Sequence, residues 1–257
     1  MPQTSPAGFI STYRTVERAA AAETLMHRLF APPSTAIDGI DFAIAYRFAE
    51  HAGGDIADVF PSEGGRAWMS LTDIQGNGEE AAVHAACLKY GIRAYAALGR
   101  TPAQIVRDLN GYYMKDCAAE RSDSFASVFL AQIDPSARAI RYVSAAHEAL
   151  FLVHANGFIE HLRPTGPLVG ILDDGQADYA EREIFIDSGA TILAVSDGVT
   201  EARHRLKLFG LMRVEKAARE SGTLHLDRMV RDVIEAAVLF VRGRVTDDMA
   251  AVALRIA

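Results

Sequence analysis

The chain has 257 residues, half of them hydrophobic, with 26 Lys and Arg against 33 Asp and Glu, for a formal net charge of −7. That length and composition allow one sizeable core and exclude a disordered, collagenous or low-complexity protein, and the acidic balance argues against nucleic-acid binding driven by counterion release. The first residues lack a basic start and apolar run, no stretch approaches the roughly 20 apolar residues of a membrane span, and Cys87 and Cys117 form no C-x-x-C motif. The expected location is therefore the reducing cytoplasm, away from membranes.

In chain order, Val16, Ala20, Met26, Leu29 and Phe30 recur at a loose helical period that stops at Pro32 and Pro33. They predict an amphipathic helix, either packed on its own domain or pairing a homodimer, so that residues 1–35 form a helical extension and 36–257 the main domain. Short apolar runs at Phe42–Tyr46 and Ala67–Leu71 read as strands, and helical patterns follow over 79–97 and from Thr101-Pro102 to 115, where threonine suits an N-cap and proline a first turn. Further strands are predicted at 127–133, 139–144 and 149–154, followed by the hairpin signal Asn156-Gly157, and at 181–186 and 191–195. Helices over 212–220 and 226–242 precede a last strand, 249–255. Strands in meander-like groups between helix pairs, without βα alternation, predict an α+β fold of antiparallel sheets.

The informative feature is where the aspartates fall. Asp55 follows Gly53-Gly54, Asp73 ends an apolar strand before Gln75-Gly76-Asn77-Gly78, Asp197 ends another before Gly198, and Asp247-Asp248 precede the last strand. A carboxylate at a strand end beside glycine packs poorly but suits a hard cation, and Mg²⁺ and Mn²⁺ favour carboxylate, carbonyl and water oxygens. Each aspartate alone reads as a turn or cap residue; four such sites in one chain point to a metal centre.

Six stretches carry a resemblance. They are Gly-Gly-Asp-Ile-Ala-Asp-Val-Phe (53–60), Thr-Asp-Ile-Gln-Gly-Asn-Gly (72–78), Tyr-Val-Ser-Ala-Ala-His (142–147), Pro-Thr-Gly-Pro-Leu-Val-Gly (164–170), Ser-Asp-Gly-Val-Thr-Glu-Ala (196–202) and Thr-Asp-Asp-Met (246–249). In this order the chain resembles the metal-dependent PPM-type serine/threonine phosphatases, in their bacterial SpoIIE and RsbU branch. The resemblance implies a β-sandwich of two antiparallel sheets flanked by helix pairs, and two Mn²⁺ or Mg²⁺ ions. It also implies ligands Asp55, Asp73, the Ile74 backbone carbonyl, Asp197, and Asp247 or Asp248, and attack by metal-bound water without a protein nucleophile. Asp58 is expected either as an outer partner of the centre or as a surface turn residue.

The same resemblance implies a phosphorylated STAS-type anti-sigma-factor antagonist as substrate, in partner-switching signalling. The chain departs from the branch pattern at Asn77, where histidine is usual, at Ala146, where glycine is usual, and at Ile56-Ala57, where a bulky aromatic pair is usual. Asparagine cannot exchange a proton near neutral pH, so a catalytically impaired scaffold that binds a phosphoprotein or kinase is the alternative. His147 reads as a hydrogen-bonded structural residue, and its spacing of seven from His154 and then His161 is no zinc signature.

Overall fold

The computed structural model describes residue 29 and residues 36–257, apart from 50–52, 77, 121–122, 174 and 223–224. The helix predicted over 14–31 and the departure at Asn77 lie outside the described residues.

Two five-stranded antiparallel sheets form a sandwich. One has the order β1 (Ile40–Arg47), β12 (Met249–Ile256), β9 (Thr191–Val195), β6 (Leu150–Val153), β7 (Ile159–His161). The other has the order β2 (Asp55–Pro61), β3 (Ala67–Ile74), β4 (Ala126–Asp134), β5 (Ala139–Ala145), β8 (Arg182–Phe185). The expected α+β sandwich is thus the observed one. Between the sheets lies a core that includes Val59, Met69, Leu71 and Phe129 from one and Leu152, Ile192, Val252 and Leu254 from the other. Helices cover both outer faces, α1 (Gly78–Ala97) and α2 (Pro102–Glu120) on the second sheet and α5 (Leu226–Phe240) on the first, with α3 (Asp197–Thr200) and α4 (Leu211–Ser221) beside it.

Local chemistry explains these elements. At the start of α2 the Thr101 amide donates to Gln104 Oε1 at 3.0 Å while the Gln104 amide donates to Thr101 Oγ1 at 3.4 Å. This reciprocal cap precedes a proline that needs no amide partner. On α5, Leu226, Met229, Val230, Val233, Ile234 and Ala237 are buried at helical spacing against the sheet, which is the stripe an amphipathic helix turns inward.

Three parts of the sequence reading need correction. First, residues 55–61 form a strand, β2, that was not predicted; Asp55 and Asp58 interrupt its apolar run. Second, Asp58 is no surface turn residue and does not line the acidic cavity described below. It is 1% exposed in mid-strand and its carboxylate accepts from Arg93 Nε at 2.6 Å and Arg93 Nη2 at 2.8 Å, with Lys89 Nζ at 3.8 Å. It ties β2 to α1, and a bidentate partner is what makes such burial tolerable. Third, a small hairpin, β10 (Arg203–His204) with β11 (Lys207–Leu208), follows α3, too short to leave an alternating pattern.

The departure at Ala146 has a backbone consequence. Its φ is 54°, in the left-handed region that costs a residue with a Cβ roughly 1 kcal/mol or more relative to glycine. Ala146→Gly is therefore expected to raise the thermal midpoint by about 2–4 °C, measurable by differential scanning calorimetry.

Candidate metal centre

Side chains alternate across a strand. In β2, Ala57 and Val59 point into the inter-sheet core, and in β3 so do Met69 and Leu71. Asp55 and Asp73 continue those two inward rows by one step, and they stand directly opposite each other in the register of the pair. At the same end of the sandwich, β9 runs into Ser196 and Asp197 while Asp247 and Asp248 lead into its neighbour β12. The crossing is fixed by the Ser196 amide donating to the Ala250 carbonyl at 3.0 Å and the Ala250 amide to Ser196 Oγ at 2.9 Å. Four strand ends thus deliver Asp55, Asp73, Asp197 and Asp247 to one cavity of about 270 Å³, also lined by Gly54, Ile74, Gln75, Gly76, Phe125, Ser127 and Leu168.

The electrostatics of this cavity are unfavourable without a cation. Burial, followed by the Asp73 charge, holds the Asp55 carboxyl well above its ordinary range, although Ser196 opposes the shift through a hydrogen bond. Burial, together with Asp197 and Asp247, pushes Asp73 up to about 8. Asp247 is raised as well, by burial and by Asp197. Asp55 is 3% exposed, and its Oδ2 is buried with no hydrogen-bond partner. Like charges directly opposite in a sheet destabilise it, and a buried carboxylate oxygen without a donor is costly.

Hard divalent cations fit these donors. A Cβ added at Gly54 would stand 3.0 Å from the Ile74 carbonyl oxygen and 3.3 Å from that of Gly76, so glycine keeps the space over these carbonyls open. Among the described residues no three His, Cys, Asp or Glu side chains close tightly enough to hold an ion by themselves. An open rim of oxygens suits Mg²⁺ or Mn²⁺, which retain several waters, better than a closed cage.

The two neighbouring aspartates separate. Asp247 lines the cavity, whereas Asp248 does not: its Oδ1 accepts from the Ala49 amide at 2.9 Å and its Oδ2 from the Gly53 amide at 2.8 Å. Asp248 therefore anchors the chain leading into Gly53-Gly54-Asp55. Asp248→Asn, which replaces one acceptor by a donor facing an amide, is expected to cost about 2 kcal/mol and lower the thermal midpoint by about 4–8 °C in a melting experiment with or without metal.

His147 is buried beside the site. Its Nδ1 is 2.9 Å from Ser127 Oγ, Ser127 being the register partner of Asp73 on β4, and burial pulls its pKa down to about 4. His161 instead meets Glu215 at 2.8 Å and His154 lies 3.9 Å from Glu160 and Asp187, so the three histidines serve separate places. Ser127, Phe125 and Leu168 escaped the sequence reading as cavity residues. Leu168 lay within a matched motif, but the register that sets Ser127 beside Asp73 is not visible in the sequence.

The family model for stage II sporulation protein E (SpoIIE) matches residues 63–257. The chain is 33% identical over 115 residues to protein IcfG of Synechocystis, covering 43% of this chain and 18% of that protein. It is 25% identical over 189 residues to the phosphoserine phosphatase RsbU of Bacillus subtilis, covering 73% of this chain and 55% of that protein. It thus spans about a fifth and about half of these two relatives. Among solved structures, the SiaA-PP2C domain of Pseudomonas aeruginosa superposes with a TM-score of 0.77 at 16% identity, covering 96% of this chain and 99% of that one, a likeness of fold.

Proposed function

We propose that this chain, which belongs to the SpoIIE family, is a metal-dependent protein phosphatase that hydrolyses phosphoserine or phosphothreonine on a partner protein in the cytoplasm. The observation that carries this reading is the convergence of four carboxylates from separate strand ends on one cavity whose charge is uncompensated. Similarity to a phosphoserine phosphatase supports the reaction.

Asp55, Asp73 and the Ile74 carbonyl would hold one ion, and Asp197 and Asp247 would complete the set for a second. When bound, two Mn²⁺ or Mg²⁺ ions supply an acidified water and stabilise charge on the phosphoryl oxygens. The chain's part is to fix these oxygens on rigid strands, with Asp248 and Ser196 holding the loops that bear them. Among the described residues the cavity lining includes no Lys, Arg, His or Cys, so no cationic general acid is assigned, and attack by water held at the proposed centre leaves Ser127 a positioning role. His147, with its lowered pKa, is neutral at pH 7 and positions Ser127.

The proposed substrate is a STAS-type anti-sigma-factor antagonist phosphorylated on serine, in a partner-switching circuit; resemblance to the RsbU branch supports it. The helix predicted over 14–31 is assigned to homodimer formation, which sedimentation of the full chain tests. For the substrate, a STAS-domain protein phosphorylated by its own serine kinase is incubated with the chain and Mn²⁺, and phosphate release is followed. Release that depends on Mn²⁺ and is lost in Asp73→Asn is expected. Release from generic phosphopeptides but not from the STAS protein would discard that partner, and no release from either would leave the scaffold reading.

A further inference from the structure

Beside the acidic cavity lies one in which arginines predominate. It has a volume of about 390 Å³ and shares Asp247 with the acidic cavity, while Arg203, Arg205 and Arg244 stand on its lining together with Gly198, Glu201 and Thr246. Arg203 and Arg205 come from the β10–β11 hairpin that follows α3, and Arg244 from the turn between α5 and β12. All three are exposed, and among the described residues none of them forms an ion pair.

The contrast with another arginine-lined cavity is informative. That one, about 660 Å³ at the Pro61 end of β2, is lined by Arg66, Arg93, Arg100 and Arg141. Arg93 is bound to Asp58 at 2.6 Å, Arg100 to Asp108 at 3.5 Å and Arg141 to Glu183 at 3.7 Å. Three of its four arginines thus have an acidic partner, whereas among the described residues none of the three beside Asp247 does.

The hairpin geometry adds a second observation. His204 and Lys207 are paired, so Arg205 and Leu206 form a two-residue connection, and Arg205 has a φ of 57°. Glycine would relax that position, yet an arginine occupies it, and Leu206 next to it is 97% exposed. A strained residue and a bare leucine at the lip of a cationic cavity describe a surface built for contact. The lining of the acidic cavity offers nothing cationic of its own.

We propose that Arg203, Arg205 and Arg244 form a docking pocket for acidic residues flanking the phosphorylated serine or threonine of the protein substrate, with Leu206 covered by the same partner. This rests on the phosphatase reading and names the substrate class for that site. Guanidinium groups suit the task because their planar fork matches a carboxylate.

The test uses the full chain with Mn²⁺ and phosphoserine peptides identical except for flanks of Asp, Ala or Lys. Each is also made with a non-hydrolysable phosphonate in place of the phosphate, so that binding is read by fluorescence anisotropy and turnover by phosphate release. The Asp-flanked peptide is expected to bind about tenfold tighter than the Ala-flanked one, as two or three exposed charge pairs allow, and the preference should shrink as salt shortens the screening length. In the double variant Arg205→Glu, Arg244→Glu the order should reverse, with the Lys-flanked peptide bound best. Equal binding of Asp- and Ala-flanked peptides by the wild-type chain, or an Asp preference that survives in the double variant, would overturn the proposal. If the phosphatase reading failed instead, the peptide ranking would persist in anisotropy while Mn²⁺-dependent phosphate release was absent from every peptide.

Discussion

Asp73→Asn is expected to abolish metal-dependent turnover while making the metal-free protein more stable. Losing even an outer partner of a bound metal costs about 10–100-fold, so removing a proposed ligand should lower phosphate release by at least about 100-fold. The gain in stability follows from the same charge. Asp73 is raised from the ordinary 3.8 to about 8 by burial, Asp197 and Asp247, so between those values the native chain holds a proton that the unfolded chain has lost. Its contribution to stability is therefore full below about pH 4 and lost as pH rises through about 8. Asparagine carries no such charge. In chelator, the wild-type thermal midpoint should fall from pH 5 to pH 8 and the variant's should fall less, lying on the order of 5 °C higher at pH 7.5. Saturating Mn²⁺ should invert the order, because a ligand at about 100 times its Kd adds about 2.7 kcal/mol to the form that binds it.

Gly198→Ala is expected to disable the site by a different route. A Cβ at this position would stand 1.9 Å from the Asp248 carbonyl oxygen, 2.9 Å from its carbon and 3.5 Å from Asp247 Cβ. The first two are backbone atoms between a cavity aspartate and β12, and they cannot swing aside as the tip of a long side chain would. Relief requires α3 and the 247–248 segment to separate, which moves Asp197 and Asp247 apart. A cost of about 3 kcal/mol is expected, at the upper end of overpacking, together with loss of Mn²⁺-dependent turnover that added metal does not restore. Thermal melting and a metal titration of activity check both. Gly76→Ala is the informative contrast: a Cβ there meets nothing within 4 Å, so any cost comes from its φ of 106° alone.

Most of the architecture could be read from the residues because the sandwich is built from long apolar runs bounded by Gly, Pro and Asn. What escaped was decided by contacts distant in sequence. β2 is broken by Asp55 and Asp58, and nothing local says that Asp58 is neutralised by Arg93, 35 positions on. The cavity aspartates were legible because Asp73 and Asp197 close apolar runs, Asp55 follows two glycines and Asp247 leads into the last apolar run, places where packing alone gives a carboxylate no purpose. Asp247 and Asp248 could not be told apart as adjacent residues. The two backbone amides at Ala49 and Gly53 that occupy Asp248 come from the far end of the chain. The arginine-lined cavity was invisible for the same reason: Arg203, Arg205 and Arg244 meet only once β9, β12 and α5 are packed.

Diffraction from crystals grown with Mn²⁺, collected on either side of the manganese absorption edge, tests whether the four carboxylates form a metal centre. Two anomalous peaks are expected in the cavity between Asp55, Asp73, Asp197 and Asp247, with Asp248 still bound to the Ala49 and Gly53 amides. No peak in that cavity at saturating Mn²⁺, or peaks ligated elsewhere, would contradict the account.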